Sequence, residues 1–188
     1  MGTLPKSSQW LLGISPLPRT IQEALKLHGI QEVVGKGSNK TIMAWRDEIN
    51  AAAGIDPNAQ KVSGYADDDI PWCGLFVGYV VFKAGKPMVE NPLWARNWAK
   101  FGTSVLEAGL GDVLVFQRPG GGGHVGFYVG EDSKAYHVLG GNQSNRTSIT
   151  RIEKSRCIAK RRPPYRNMPI TVRPCWLTLG GALSTNEA

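Results

Sequence analysis

No run in this chain approaches the roughly 18 consecutive apolar residues that a bilayer-crossing helix needs, which excludes a membrane span. The first ten residues carry one lysine and no continuous apolar core, so no secretory signal is read. The chain is expected to be made in the cytoplasm and to reach an outside target only by release, injection or export. Cysteine is scarce. The three present, Cys73, Cys157 and Cys175, are too few and too scattered for a disulfide framework. No Cys or His pair has metal-ligand spacing, the closest being His124 and His137, 13 residues apart. Neither metal nor cofactor is expected. Acidic residues are also short, 15 against 22 Lys and Arg, for a net charge of +7. That excess suits a polyanionic partner, nucleic acid or the anionic bacterial wall. Neither a zinc-finger spacing nor an RNP-type motif is present, which counts against nucleic acid.

What is there reads as an ordinary globular chain. Of 188 residues, 41% are hydrophobic and 20% charged, enough for one domain with a packed core. Residues 1–18 hold three prolines and no clear period, predicting an irregular lead-in. Thr20 and Glu23 form a capping box ahead of Ile21, Ala24, Leu25 and His28 at helical spacing, and Gly29 supplies the stop. His28 is read as structural. A second helix is predicted through Ile42, Trp45 and Ile49, then a polar loop over 53–69. Leu75, Phe76, Tyr79, Val80 and the stem of Lys83 predict a third, with Asp67, Asp68, Asp69 and Pro71 at its start and Lys83, Gly85 and Lys86 at its end. A short helix over 93–101 follows. After Gly111 the texture changes to strands, at 112–118, 124–130, 135–139, 147–152 and 156–161. Helices first and strands second predict an α+β fold, N-terminal helices packed on a C-terminal antiparallel β-sheet. The main domain is expected over 19–163, and 164–188 as an extension of unassigned role.

Cys73 is the first candidate for chemistry. It falls in the first turn of the third predicted helix, where free N–H groups and the helix dipole favour a thiolate and can receive an oxyanion. Gly74 beside it would let substrate approach closely. The three aspartates would oppose ionisation if they faced the sulfur, so a partner that becomes cationic is needed. His124 fits, because it follows Gly120 to Gly123 and opens a strand in which small Gly126 shares its face. A third group usually fixes the imidazole tautomer. Asn142, after Gly140 and Gly141, and His137, on the next strand, compete for that place. Asn142 is preferred because an amide oxygen accepts from the ring without adding negative charge beside a thiolate.

Four segments in order, Pro71-Trp72-Cys73-Gly74-Leu75-Phe76-Val77, Gly111 to Phe116, Gly123-His124-Val125-Gly126-Phe127-Tyr128 and Leu139-Gly140-Gly141-Asn142-Gln143-Ser144-Asn145, resemble the NlpC-type and CHAP-type (cysteine, histidine-dependent amidohydrolase/peptidase) cysteine peptidases. His124 stands 51 positions after Cys73. The resemblance covers about residues 20–163. It implies a papain-like fold and hydrolysis of an amide bond in the stem peptide of peptidoglycan, with Cys73 as nucleophile and His124 as base. The NlpC-type pattern puts a histidine third, here His137; the CHAP-type pattern points to Asn142. Trp72, Gly74, Gly123 and Gln143 would then line the substrate cleft. Trp72 stands where NlpC-type sequences have aspartate, and Gly74 where serine is usual. Endolysin, phage tail lysin and secreted antibacterial toxin all fit this chemistry, the last with an immunity or delivery partner left open. Deamidation or acyl transfer on a protein target is an alternative. So is a non-catalytic wall-binding or phage structural component.

Overall fold

The computed structural model describes residues 4–178 and 181–187; residues 1–3 of the lead-in and 179, 180 and 188 of the extension lie outside the described residues. Three α-helices come first: α1 (Arg19–Lys26), α2 (Lys40–Ala52) and α3 (Cys73–Lys83). After a 3-10 helix at Ala95–Lys100 come β1 (Thr103–Ser104), β2 (Val113–Gln117), β3 (Gly123–Glu131), β4 (Ala135–Gly140), β5 (Ser148–Glu153) and β6 (Cys157–Arg162). The strands form one sheet in the order β1-β6-β2-β3-β4-β5, antiparallel at every neighbouring pair. The fold is α+β. Among the described residues, no helix is long and apolar enough to cross a membrane.

Alternation along the strands sorts side chains between two faces. Val113, Val115, Val125, Phe127 and Leu139 pack with the helices in the main core. Leu114, Phe116, Tyr128, Val138 and Ile152 form a smaller cluster on the other face. The five strands expected from the pattern are all present, with β1 in addition. α2 is capped by Asn39, whose side chain accepts from the Thr41 and Ile42 N–H groups. α3 is buried at nine consecutive residues, Cys73 to Val81, because α1 and α2 cover the side that the sheet does not.

Three expectations need correction, and a fourth is completed. Thr20 does not cap α1: the N-cap is Pro18, and the Thr20 hydroxyl lies inside the helix and donates to the Gly111 carbonyl, tying α1 to the sheet. No aspartate caps α3, whose N-cap is Trp72; Asp68 turns away and accepts from the Val33 and Asn39 N–H groups. The lead-in contains a 3-10 helix, Lys6–Gly13, with Leu11 fully buried. The extension, whose role the sequence leaves unassigned, packs against the sheet. Its Cys175 N–H donates to the Tyr128 hydroxyl and its Leu177 N–H to the Glu131 carbonyl, which holds it along β3.

Candidate functional site

The site gathers at the end of the sheet where β3 begins. Cys73 opens α3 without a side-chain cap, and backbone N–H groups of Val125, Gly74 and Cys73 itself act on its sulfur. Val125 follows His124 in the chain, so the nucleophile candidate and the base candidate are brought to the same end of β3. Arg118, at the close of β2, places its charge on both of them. Cys73 is 4% exposed and His124 not at all. Burial is the leading influence on each: it pushes the thiol up, against the pull of those N–H groups and Arg118, and takes the imidazole down to about 4. At neutral pH both groups are neutral, the thiol on the α3 face of β3 and the imidazole on the opposite face, next to Phe116. Burial also raises the other two thiols, Cys157 to about 11.

The imidazole's tautomer follows from its neighbours. The Gln143 side chain sends its amide Nε2 to the Ser148 carbonyl at 2.6 Å and the Val138 carbonyl at 3.3 Å, so that end can only be the donor. Its Oε1 accepts from the Thr150 hydroxyl at 2.9 Å and stands 3.1 Å from His124 Nε2. An oxygen fixed as acceptor requires the proton on Nε2, which leaves the lone pair on Nδ1. That Nδ1 is buried and has no hydrogen-bond partner among the described residues. A buried acceptor left unmatched costs free energy and calls for a functional explanation.

The expected third residues are elsewhere. Asn142 adopts a left-handed φ of 55°, and its Oδ1 is buried without a partner among the described residues. The bond to His124 is made by the next residue, Gln143, whose extra methylene lets it reach back over the sheet. His137 lies toward the other end of β4, paired with Gly130 and Arg151 across the ladders. Its Nε2 stands 2.9 Å from Asp132. The Arg151 guanidinium, 2.9 Å from the same carboxylate, holds that group well below the usual range.

Three of the four expected cleft residues also have other work. Trp72 is fully buried, and its indole N–H donates to Glu32 at 3.0 Å. A Cβ on Gly74 would come within 2.4 Å of the Pro92 and Leu93 carbonyl oxygens, so this glycine admits the 92–93 turn against α3, not a substrate. Gly123 lies against Arg96 in the same way. Glu187, far away in sequence, is nearly buried and close enough to His124 that each alters the other's proton affinity. Its sequence context carries no signal for that placement. A scan of protein-family models, a search of curated proteins and a search of solved structures each returned no match to this chain.

Proposed function

We propose that the chain is a cysteine peptidase or amidase of papain-like fold that cleaves an amide bond in the stem peptide of peptidoglycan. The observation that carries this reading is the placement of Cys73 at an uncapped helix start, where backbone N–H groups favour its thiolate, at the same end of β3 as His124, whose Nε2 is held by Gln143 and whose Nδ1 lone pair is unmatched. The ordered motifs around Cys73, His124 and Gln143 support it independently.

Both groups start neutral, so the thiolate forms as substrate arrives. Cys73 and His124 lie on opposite faces of β3 and do not touch, so the Gly120–Gly123 end of the strand has to turn over first; Nδ1 then takes the Cys73 proton while sulfur attacks the peptide carbonyl carbon. The oxyanion lies toward the backbone N–H groups at the start of α3 and at Val125. The imidazolium then returns its proton to the leaving amine as the C–N bond breaks. Water, deprotonated by the same nitrogen, cleaves the thioester and restores the thiol. Asn142 and His137 have no part in this scheme, and Gln143 moves from the cleft to the positioning role. The net charge of +7 favours adsorption to an anionic wall polymer. The protein is delivered to that wall by release, injection or export.

Digestion of purified sacculi, followed by identification of the new termini, tests the reading. Cys73→Ala is expected to abolish cleavage, and Cys157 and Cys175 to be replaceable together. Full cleavage by the Cys73→Ala protein would end it. Tight sacculus binding without cleavage by the native chain would favour the wall-binding alternative, and release of ammonia from a protein target would favour deamidation.

A further inference from the structure

The closing of His124 has an identifiable cause. Beyond Gly181 the chain runs past the open edge of β5, where the Ser184 N–H donates to the Arg151 carbonyl at 2.7 Å. Arg151 also donates to the Gly181 carbonyl. Two residues on from Ser184, the Asn186 carbonyl accepts from the Ser144 N–H at 3.1 Å, in the turn that carries Gln143. Glu187 then enters the sheet's second face at 2% exposure and takes a two-pronged bond from Arg156, at 3.0 and 2.7 Å. Arg156 is itself bonded to the Gln117 carbonyl at the end of β2, next to Arg118. The Glu187 carboxylate therefore lies within reach of His124's field, at the end of the sheet where an imidazole acting on substrate must be open.

The way this segment is held matters as much as where it lies. Its anchors are hydrogen bonds and one ion pair. Leu183 remains 40% exposed, and a crevice of about 450 Å³ is lined by residues 182–186 together with His137, Ile149 and Arg151 of the sheet and Pro5 and Ser8 of the lead-in. Leu183 belongs to neither apolar cluster, unlike the residues that hold α3 in place. A segment with polar anchors and a hollow beneath it opens at lower free energy than the core it covers.

We propose that residues 181–187 are an autoinhibitory strap, anchored by Arg156 on Glu187 and by Ser144 on Asn186, that shuts His124 from solvent and must lift before a substrate can reach the imidazole. The proposal takes His124 as the general base from the function proposed above. Its test reads accessibility and does not depend on that function.

The experiment is carbethoxylation of histidines by diethyl pyrocarbonate, followed by peptide mass mapping, on the full chain, a chain ending at Thr178 and the Glu187→Ala variant. His124 is expected to react about tenfold or more faster in the shortened chain and at an intermediate rate in Glu187→Ala. His28 follows α1 and precedes the 29–32 segment that pairs with 145–147, so a steady His28 rate in all three shows that the neighbouring turn has kept its fold. An unchanged His124 rate in both altered proteins, with His28 steady, overturns the strap. If shortening also raises the His28 rate, the fold has been disturbed and Glu187→Ala decides: faster His124 modification upholds the strap, an unchanged rate removes it. Sacculus digestion by the same proteins separates the two ideas. Open His124 with no cleavage would refute the hydrolase and leave the strap, whereas faster cleavage by the shortened chain supports both.

Discussion

The two faces of the sheet are closed by different means. On the first lies α3, buried from Cys73 to Val81, with an aromatic chain in which Phe76 stands 6.1 Å from both Trp45 and Phe127. A Cβ on Gly141 would come within 2.6 Å of Phe76 Cβ, so helix and sheet touch almost at backbone distance. On the second face a smaller cluster is covered by the C-terminal segment, which is tied down by the Tyr128 hydroxyl, the Glu131 backbone and Arg156. Apolar burial is cooperative and is lost only when the core opens. Hydrogen bonds exchange with water and contribute about 0.5–1.5 kcal/mol each. The nucleophile candidate thus stands on the fixed face, and its base opens onto the face that can be uncovered.

The largest expected effect tests the fixed face. Phe76→Ala should lower unfolding stability by about 3–5 kcal/mol, the range for deleting a buried aromatic ring. Urea unfolding of this variant beside the chain ending at Thr178 measures the contrast directly. Loss of the C-terminal segment should cost clearly less. Equal losses would mean that the second face is as much a core as the first.

The next effect comes from protonation on the second face. Burial takes His124 to about 4, whereas an unfolded histidine titrates near 6.5. Between these values the unfolded chain binds the proton and the folded chain does not, so stability rises with pH through this window. The contribution is complete above about pH 6.5 and is lost as pH falls towards about 4, to an extent on the order of 3 kcal/mol. Carboxylates titrate in the same range, so the clean measurement is a difference. The stability gap between native protein and His124→Gln should shrink from pH 7 to pH 4.5; a constant gap would show that His124 is not held neutral by the fold.

Most of the first face could be read from local pattern. Ile42, Trp45 and Ile49 mark α2, the stripe from Leu75 to Lys83 marks α3, and alternation marks five strands, because each signal lies within a dozen residues. The second face could not. Its cover depends on contacts such as Cys175 to Tyr128 and Glu187 to Arg156, between residues with no shared period. The site divides along the same line. Cys73 and His124 stand on elements that pattern places, but choosing between Asn142 and Gln143 required the backbone. Asn142 takes the left-handed φ, which turns its short side chain away, while the longer Gln143 returns to the strand. The resemblance implies a cleft position for Trp72; in the fold it faces Glu32 and the core.

Gln143 sharpens the comparison, because several hydrogen bonds fix it at the edge of the second face. With bonds to Ser148, Val138, Thr150 and His124, its amide cannot rotate without breaking several at once. Gln143→Ala should lower turnover on sacculi by about ten- to a thousandfold, the general scale for holding a catalytic base. His137→Ala and Asn142→Ala should cost far less. Nitrogen-15 shifts of His124 supply a readout independent of rate: the Nε2–H tautomer should dominate in the native protein and become mixed in Gln143→Ala. A dominant Nε2–H form in both proteins would remove Gln143 from the positioning role.

The smallest effect is expected at Tyr128, which joins the second cluster to the C-terminal segment. Its ring is fully buried in the second cluster, 5.9 Å from Tyr136, while its hydroxyl donates to Glu131 at 2.9 Å and accepts from the Cys175 N–H at 2.9 Å. Tyr128→Phe keeps the ring and removes both bonds. The global cost should be about 1–2 kcal/mol, because the freed Cys175 N–H lies near the surface and can find water. The local consequence should be larger than the global one. Amide hydrogen exchange at Cys175 and Leu177 should speed up well beyond the change at Val77 or Val80, since the C-terminal segment loses an anchor while α3 keeps every contact. Uniform acceleration across both sets of amides would show that the faces open as one unit, and the distinction between a fixed face and an uncoverable one would then fall.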